Sequence, residues 1–163
     1  MPRAIWKFSV ASLWAIGFWA PVPTMAQTIA THRIPASLAM EAASEAVSSC
    51  AAQGYNETAV VVDADGVVIA VLRGDGTGAH TLDSAHDKAF TAASFKRDTL
   101  VLSQNSAIAP LAKLPHVIFF GGGVVVKIGD EVVGAIGAAG APGGNLDDGC
   151  AHAGLKKIQD RLH

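Results

Sequence analysis

Two β-branched runs folded about a turn constrain this chain more than any other feature. Thr58–Val62 and Val67–Leu72 are apolar and rich in valine, and Asp63-Ala64-Asp65-Gly66 between them is turn chemistry. The pair predicts a β-hairpin, and with it an antiparallel sheet. A second β pattern follows the Pro110–Pro115 connector. His116–Phe120 is predicted as a strand, Gly121-Gly122-Gly123 interrupts it, Val124–Ile128 continues, and Gly129-Asp130 turns into Glu131–Ala138. Helical stripes lie between and around these strands. Leu38, Ala42, Ala46, Val47 and Cys50 recur at three- and four-residue spacing behind Pro35, which suits a first helical turn. Leu82, Ala85, Ala89 and Ala92 mark a second helix ending near Lys96, and a short helical turn is expected over Thr99–Gln104. A last helix starts near Asn145, with Asp147 and Asp148 in its first turn and Lys156, Lys157 and Arg161 at its end, as the helix dipole favours. The order α-β-β-α-β-β-β-α predicts an α/β (α+β) domain: a mostly antiparallel five-stranded sheet flanked by helices.

The first 26 residues read as a secretory signal followed by a single domain over 27–163. Arg3 and Lys7 open it, Phe8–Ala20 is an apolar run of signal-peptide length, and Ala26 is a small residue at a cleavage position. That run is short for a membrane span, which needs about 20 residues, so no span is expected in the mature chain. The segment holds all three tryptophans and two of the twelve Lys and Arg residues, but none of the fourteen acids. The mature domain therefore carries fourteen acids against ten bases, a net charge of −4. That balance argues against nucleic acid and against anionic membrane surfaces as partners. The expected location is periplasmic or secreted.

Export gives two cysteines, Cys50 and Cys150, two readings. In an oxidising compartment an even pair invites a disulfide; otherwise the two are separate buried thiols. Spacing alone does not bring their Cα atoms within reach.

Three segments, in order, resemble the GlcG/HbpS family of small haem-binding proteins. Val60-Val61-Val62-Asp63-Ala64-Asp65-Gly66 with Arg73-Gly74-Asp75-Gly76 is similar to that family's first hairpin. Ser84-Ala85-His86-Asp87-Lys88-Ala89-Phe90-Thr91-Ala92-Ala93 is similar to its central helix. Gly121-Gly122-Gly123 and Gly129-Asp130-Glu131-Val132-Val133-Gly134-Ala135-Ile136-Gly137 are similar to its closing hairpin. The resemblance runs from about Ile34 to Leu155. It implies a profilin-like α-β-α layered domain, assembly into homo-oligomers, and binding of haem or a related tetrapyrrole. Some relatives are exported and act beside a sensor kinase; others form the C-terminal domain of PduO-type proteins or sit among glycolate-utilisation proteins. The expected function is haem capture, sensing or protection. The alternatives are a periplasmic small-molecule enzyme or accessory subunit of an oxidation pathway, and an oligomeric partner of a membrane sensor.

Haem iron takes an axial ligand from His, Met, Cys or Tyr. His80, His86 and His116 lie near element ends and glycine-rich turns, where pockets form, and are the candidate iron ligands. Each also has a bland reading as a surface or hydrogen-bonded histidine. His80 and His86 could pair on a divalent metal, but no third ligand for zinc is visible in the sequence. Lys88 is read either as a partner for a propionate carboxylate or as a solvated helix residue. Arg73 joins the ligand-binding candidates, with an ion pair to Asp75 that would fix the loop as its structural reading. Gly121, Gly122 and Gly123 complete the set, as a bulge or a close backbone approach along the pocket. Gly74-x-Gly76-x-x-Ala79 follows the second strand of a hairpin, so it fails as a dinucleotide fingerprint. No Ser-His-Asp or Cys-His set can be assigned, and no catalytic residue is named.

Overall fold

The computed structural model describes residues 30–163; the expected signal segment, its boundary at residue 26 and the first three positions of the expected domain, 27–29, lie outside that range. Four helices and four strands form the domain: α1 (Ala36–Ala51), β1 (Thr58–Asp63), β2 (Val68–Arg73), α2 (His80–Phe95), α3 (Thr99–Leu102), β3 (Gly123–Ile128), β4 (Glu131–Ala139) and α4 (Gly144–Ile158). A 3-10 segment, Ser106–Lys113, occupies much of the long connector before β3. The sheet order is β2-β1-β4-β3, with every neighbouring pair antiparallel. No described helix is long and apolar enough to cross a membrane.

Helices cover both faces of the sheet, and β1 shows why its sequence is apolar throughout. Ala59 and Val61 pack toward α1 and α4, whereas Val60 and Val62 pack toward α2. A strand buried on both faces reads as a continuous apolar run instead of an alternating one. The α2 side of the core is made largely of alanine: Ala85, Ala89, Ala92 and Ala93 meet Val60, Val62, Ala135 and Ala139. Small side chains bring the helix axis close to the sheet.

Gly137 is where that approach is tightest. A Cβ added there would lie 1.9 Å from the Ala85 carbonyl oxygen and 2.7 Å from the Ala89 nitrogen. Both obstacles are backbone, so neither can rotate away. Gly137→Ala is expected to destabilise the fold by about 3 kcal/mol or more, at or beyond the upper end of ordinary overpacking. Gly129→Ala, at a site with open space but φ +58, is the comparison and should cost about 1 kcal/mol. Urea unfolding of the two variants measures the difference.

The sheet has four strands, not the expected five, because His116–Phe120 does not pair with it. His116 has φ +61, a left-handed conformation that breaks an extended run. Thr91 of α2 then takes over the backbone bonds of this segment. Its hydroxyl donates to the His116 carbonyl at 3.2 Å and accepts from the Ile118 N–H at 3.0 Å. The segment is thus docked on a helix before the chain enters β3.

Cys50 and Cys150 are joined in a disulfide, with Cα atoms 5.6 Å apart and both side chains fully buried. The bond links the end of α1 to the middle of α4, which pack against one another.

Candidate functional site

A buried charge cluster lies under the glycine-rich edge of the domain. Lys88 lies midway along α2 and is 2 % exposed. Its ammonium donates to Asp147 Oδ2 at 2.5 Å and to the Ala138 carbonyl at 3.0 Å. Asp147, in the first turn of α4, is equally buried, and its Oδ1 accepts from the Ala141 N–H at 2.9 Å. The reading of Lys88 as a solvated helix residue fails: the side chain is buried, and its charge is paired with Asp147 inside the protein.

Gly122 packs directly on that cluster, and Gly121 and Gly123 pack on the backbone beside it. Gly122 has φ +118, and a Cβ on it would meet Asp147 Cβ at 2.8 Å and Lys88 Nζ at 2.9 Å. A Cβ on Gly121 would strike the Gly144 carbonyl, and one on Gly123 the Lys88 carbonyl. Of the two expected roles, the close backbone approach describes the run: it threads between α2 and the start of α4.

Glu57 adds a third charge-bearing group and was not a sequence candidate. It precedes β1, is 1 % exposed, and neither carboxyl oxygen has a hydrogen-bond partner. Burial, and then the neighbouring Asp147 carboxylate, push its pKa up to about 8. An Asn-Glu-Thr stretch before a strand reads as a solvated entry, and no local signal marks it otherwise.

Above the cluster opens a cleft of about 220 Å³. His80, Thr81 and Ser84 of α2 form one wall, Ile118 and Phe120 another, and Ala139–Ala141 a third, with Lys88 and Asp147 at the floor. Phe120 is half exposed, and its ring centroid lies 5.2 Å from Lys88 Nζ. Thr81 is held by hydrogen bonds to Thr58 and the Gly78 carbonyl, which fixes the first turn of α2.

His86 and His116 lie together elsewhere, on the outer side of α2. The Nδ1 atoms of both contact Asp87 Oδ1, at 3.1 Å and 2.9 Å. Phe90 packs against both rings. The ligand atoms of His86, Asp87 and His116 all lie within 4.8 Å of one another, so the histidine that stands with His86 is His116 and not His80. A carboxylate that takes the Nδ1 proton leaves Nε2 free to bind a metal, the usual arrangement behind a metal-binding histidine. His80 is not part of this group.

Arg73 stands apart from both places. Its guanidinium donates to the Thr77 carbonyl at 2.6 Å, and no ion pair to Asp75 occurs among the described residues. The loop is fixed by that backbone contact and by Thr77 donating to the Gly74 carbonyl. Arg73 lines a separate cavity of about 360 Å³, which Glu57 also lines. The predicted residues therefore divide among three places: His80 and Lys88 at the cleft with the glycines packed near Lys88 and Asp147, His86 and His116 on Asp87, and Arg73 at a separate cavity.

A family model described as "Haem degrading protein HbpS-like" matches residues 34–156, which include all three places. The chain belongs to the HbpS-like family. Two crystal structures of HbpS are similar to it across most of both chains. A double mutant of HbpS from Streptomyces reticuli is 37 % identical, with 84 % of this chain and 97 % of that one covered and a TM-score of 0.76. A second HbpS structure is 36 % identical over 84 % and 96 %, with a TM-score of 0.75. The crystal structure of a PduOC–haem complex shares the fold at 21 % identity, covering 78 % and 96 %, with a TM-score of 0.70. No protein of curated function matches the chain significantly in sequence. Membership of the HbpS-like family agrees with the resemblance drawn from the three segments, and the antiparallel sheet between helical layers agrees with the expected architecture.

Proposed function

We propose that this protein binds haem or a related tetrapyrrole outside the cytoplasm, in haem capture, sensing or protection. The observation that carries the reading is the HbpS-like match over residues 34–156, which takes in an open cleft with an imidazole on its wall. The residues present fit such a group. His80 offers a nitrogen at the cleft, and His86 and His116 offer two more that Asp87 orients. Ile118, Phe120 and the Ala139–Ala141 stretch supply apolar surface for a flat macrocycle. Haem bound there would supply an iron centre; the protein's own part is to bind and orient it. Pockets that enclose a drug-sized ligand span about 300–1,000 Å³. At 220 Å³ the cleft takes only an edge of a tetrapyrrole, so the ring would extend past the half-exposed Phe120. A second copy of the chain could cover what remains, which agrees with homo-oligomeric assembly. The charged N-terminus and apolar run of residues 1–26 support export, and a sensor kinase is the kind of partner this role would serve.

Titration of the mature protein with haemin tests the reading. The Soret band should shift and saturate near one haem per chain or per dimer. His80→Ala is expected to weaken binding about tenfold or more if His80 is the iron ligand, equivalent to about 1.4 kcal/mol. The same loss in His86→Ala or His116→Ala would move the iron to the Asp87 pair. No shift at micromolar protein overturns the haem reading and favours an enzyme or scaffold role. The family's description favours one second reading, breakdown of the bound haem. Its signature is Soret loss with peroxide that is faster with protein than with haemin alone.

A further inference from the structure

Beneath the cleft, two carboxyl groups and one ammonium are buried together. Lys88 brings one positive charge; Asp147 and Glu57 could bring two negative ones. Lys88 and Asp147 balance one another at 2.5 Å. A second ionised carboxylate would then be an uncompensated buried charge, and Glu57 has no hydrogen bond to offset it. A proton on Glu57 removes the charge and turns repulsion from Asp147 into a possible O–H···O contact. The groups facing Glu57 are Lys88 from α2 and Asp147 from α4, while Tyr55, Arg73 and Asp75 line with it the larger cavity.

The Lys88 ammonium has three protons, and Asp147 and Ala138 accept two of them. The third has no acceptor among the described residues, and Lys88 lines the cleft together with Thr81, Ser84 and Phe120, whose ring centroid is 5.2 Å from Nζ. A donor of this kind suits an anionic oxygen.

We propose that the cleft takes a carboxylate group of its ligand at Lys88, and that Glu57 holds the proton that keeps the floor from repelling it. The carboxylate could belong to a tetrapyrrole propionate or to a free small carboxylic acid. Only the first source rests on the haem reading above.

Binding and protonation are then linked, with a definite sign. An incoming anion makes Glu57 hold its proton more tightly, so binding takes up protons over the range in which Glu57 titrates. Affinity is highest while Glu57 is protonated and falls as pH rises through about 8. If the ligand's charge raises the Glu57 pKa by one unit, the full fall is about tenfold.

The test measures affinity on both sides of that range for haemin, haemin dimethyl ester and succinate, with wild-type protein and Glu57→Gln. Wild type should lose about tenfold for haemin, and Glu57→Gln should stay flat relative to it. Comparing the two proteins cancels haemin's own titration. The dimethyl ester, which has no carboxylate, should show the same profile with both proteins. If Glu57→Gln does not fold, calorimetry of wild type in two buffers of different ionisation enthalpy reads the proton uptake directly. Equal slopes in both proteins, or no proton uptake, overturns the proposal. Succinate binding with the expected slope but no haemin binding keeps the proposal and sinks the haem reading. Haemin binding without any dependence on Glu57 does the reverse. Failure of both haemin and succinate to bind overturns both.

Discussion

Replacing Lys88 with methionine lowers the unfolding free energy by about 3–5 kcal/mol, the cost of breaking a buried pair from one side. The side chain that replaces it fills nearly the same volume, so the loss is electrostatic and not a cavity effect. What remains is an Asp147 carboxylate at 2 % exposure and an Ala138 carbonyl without its ammonium donor, with Glu57 alongside. Exposed ion pairs behave differently. Arg161–Glu41 and Lys157–Glu45 join surface groups with side chains 39–52 % exposed, and such pairs contribute about 0–1 kcal/mol. Urea unfolding of Lys88→Met and Lys157→Met separates the two cases. The double variant Lys88→Met/Asp147→Asn should recover part of the loss, because it removes the orphaned charge while keeping an oxygen for the Ala141 N–H. A loss below about 1 kcal/mol in Lys88→Met would mean that water reaches the pair, and the proton bookkeeping at Glu57 would fall with it.

Local patterns foretold the layers of this fold, because strands and helices announce themselves by period and turn chemistry. Thr58–Val62, Val67–Leu72 and Glu131–Ala138 all lie in or beside the observed strands, and the alanine stripe from Ala85 to Ala92 faces the sheet. His116–Phe120 shows the limit of such reasoning. Its apolar side chains imitate a strand, but a strand also needs a neighbour for its backbone, and a threonine from a helix 25 residues earlier supplies the bonds instead. The site is less legible for the same reason. Lys88, Asp147 and Glu57 come from three elements, and each looks solvated in its own neighbourhood. Their burial is a property of how α2, α4 and the entry to β1 meet. The one local trace was the glycine run at 121–123, whose missing side chains make room for Lys88 and Asp147. Asp87 was likewise in plain view beside His86, yet its role depends on His116 arriving from a separate loop.

Loss of the Cys50–Cys150 bridge should lower stability by up to ~4.7 kcal/mol, the chain-entropy value for a loop of about 100 residues. The two cysteines are 100 residues apart, and the loop they close contains the whole sheet and α2. The bridge therefore restrains the unfolded chain more than a short-range one would. The native side is undemanding. Around the bond α1 and α4 are lined with Ala42, Ala43, Ala46, Ala151 and Gly154, and a Cβ on Gly154 would come within 2.5 Å of the Ala42 carbonyl. Helices held so close by small residues keep the two sulfurs in reach whether or not the bond forms. Cys50→Ala/Cys150→Ala should accordingly fold to the same structure and unfold at lower urea, with a larger urea dependence because its unfolded chain is less compact. Wild-type protein unfolded with reductant should match the double variant. Equal midpoints for oxidised and reduced protein would show that packing of α1 on α4 suffices alone. A large difference would make the domain dependent on an oxidising compartment, since the same chain held in a reducing cytoplasm would lack much of its margin against the 5–15 kcal/mol typical of folded domains.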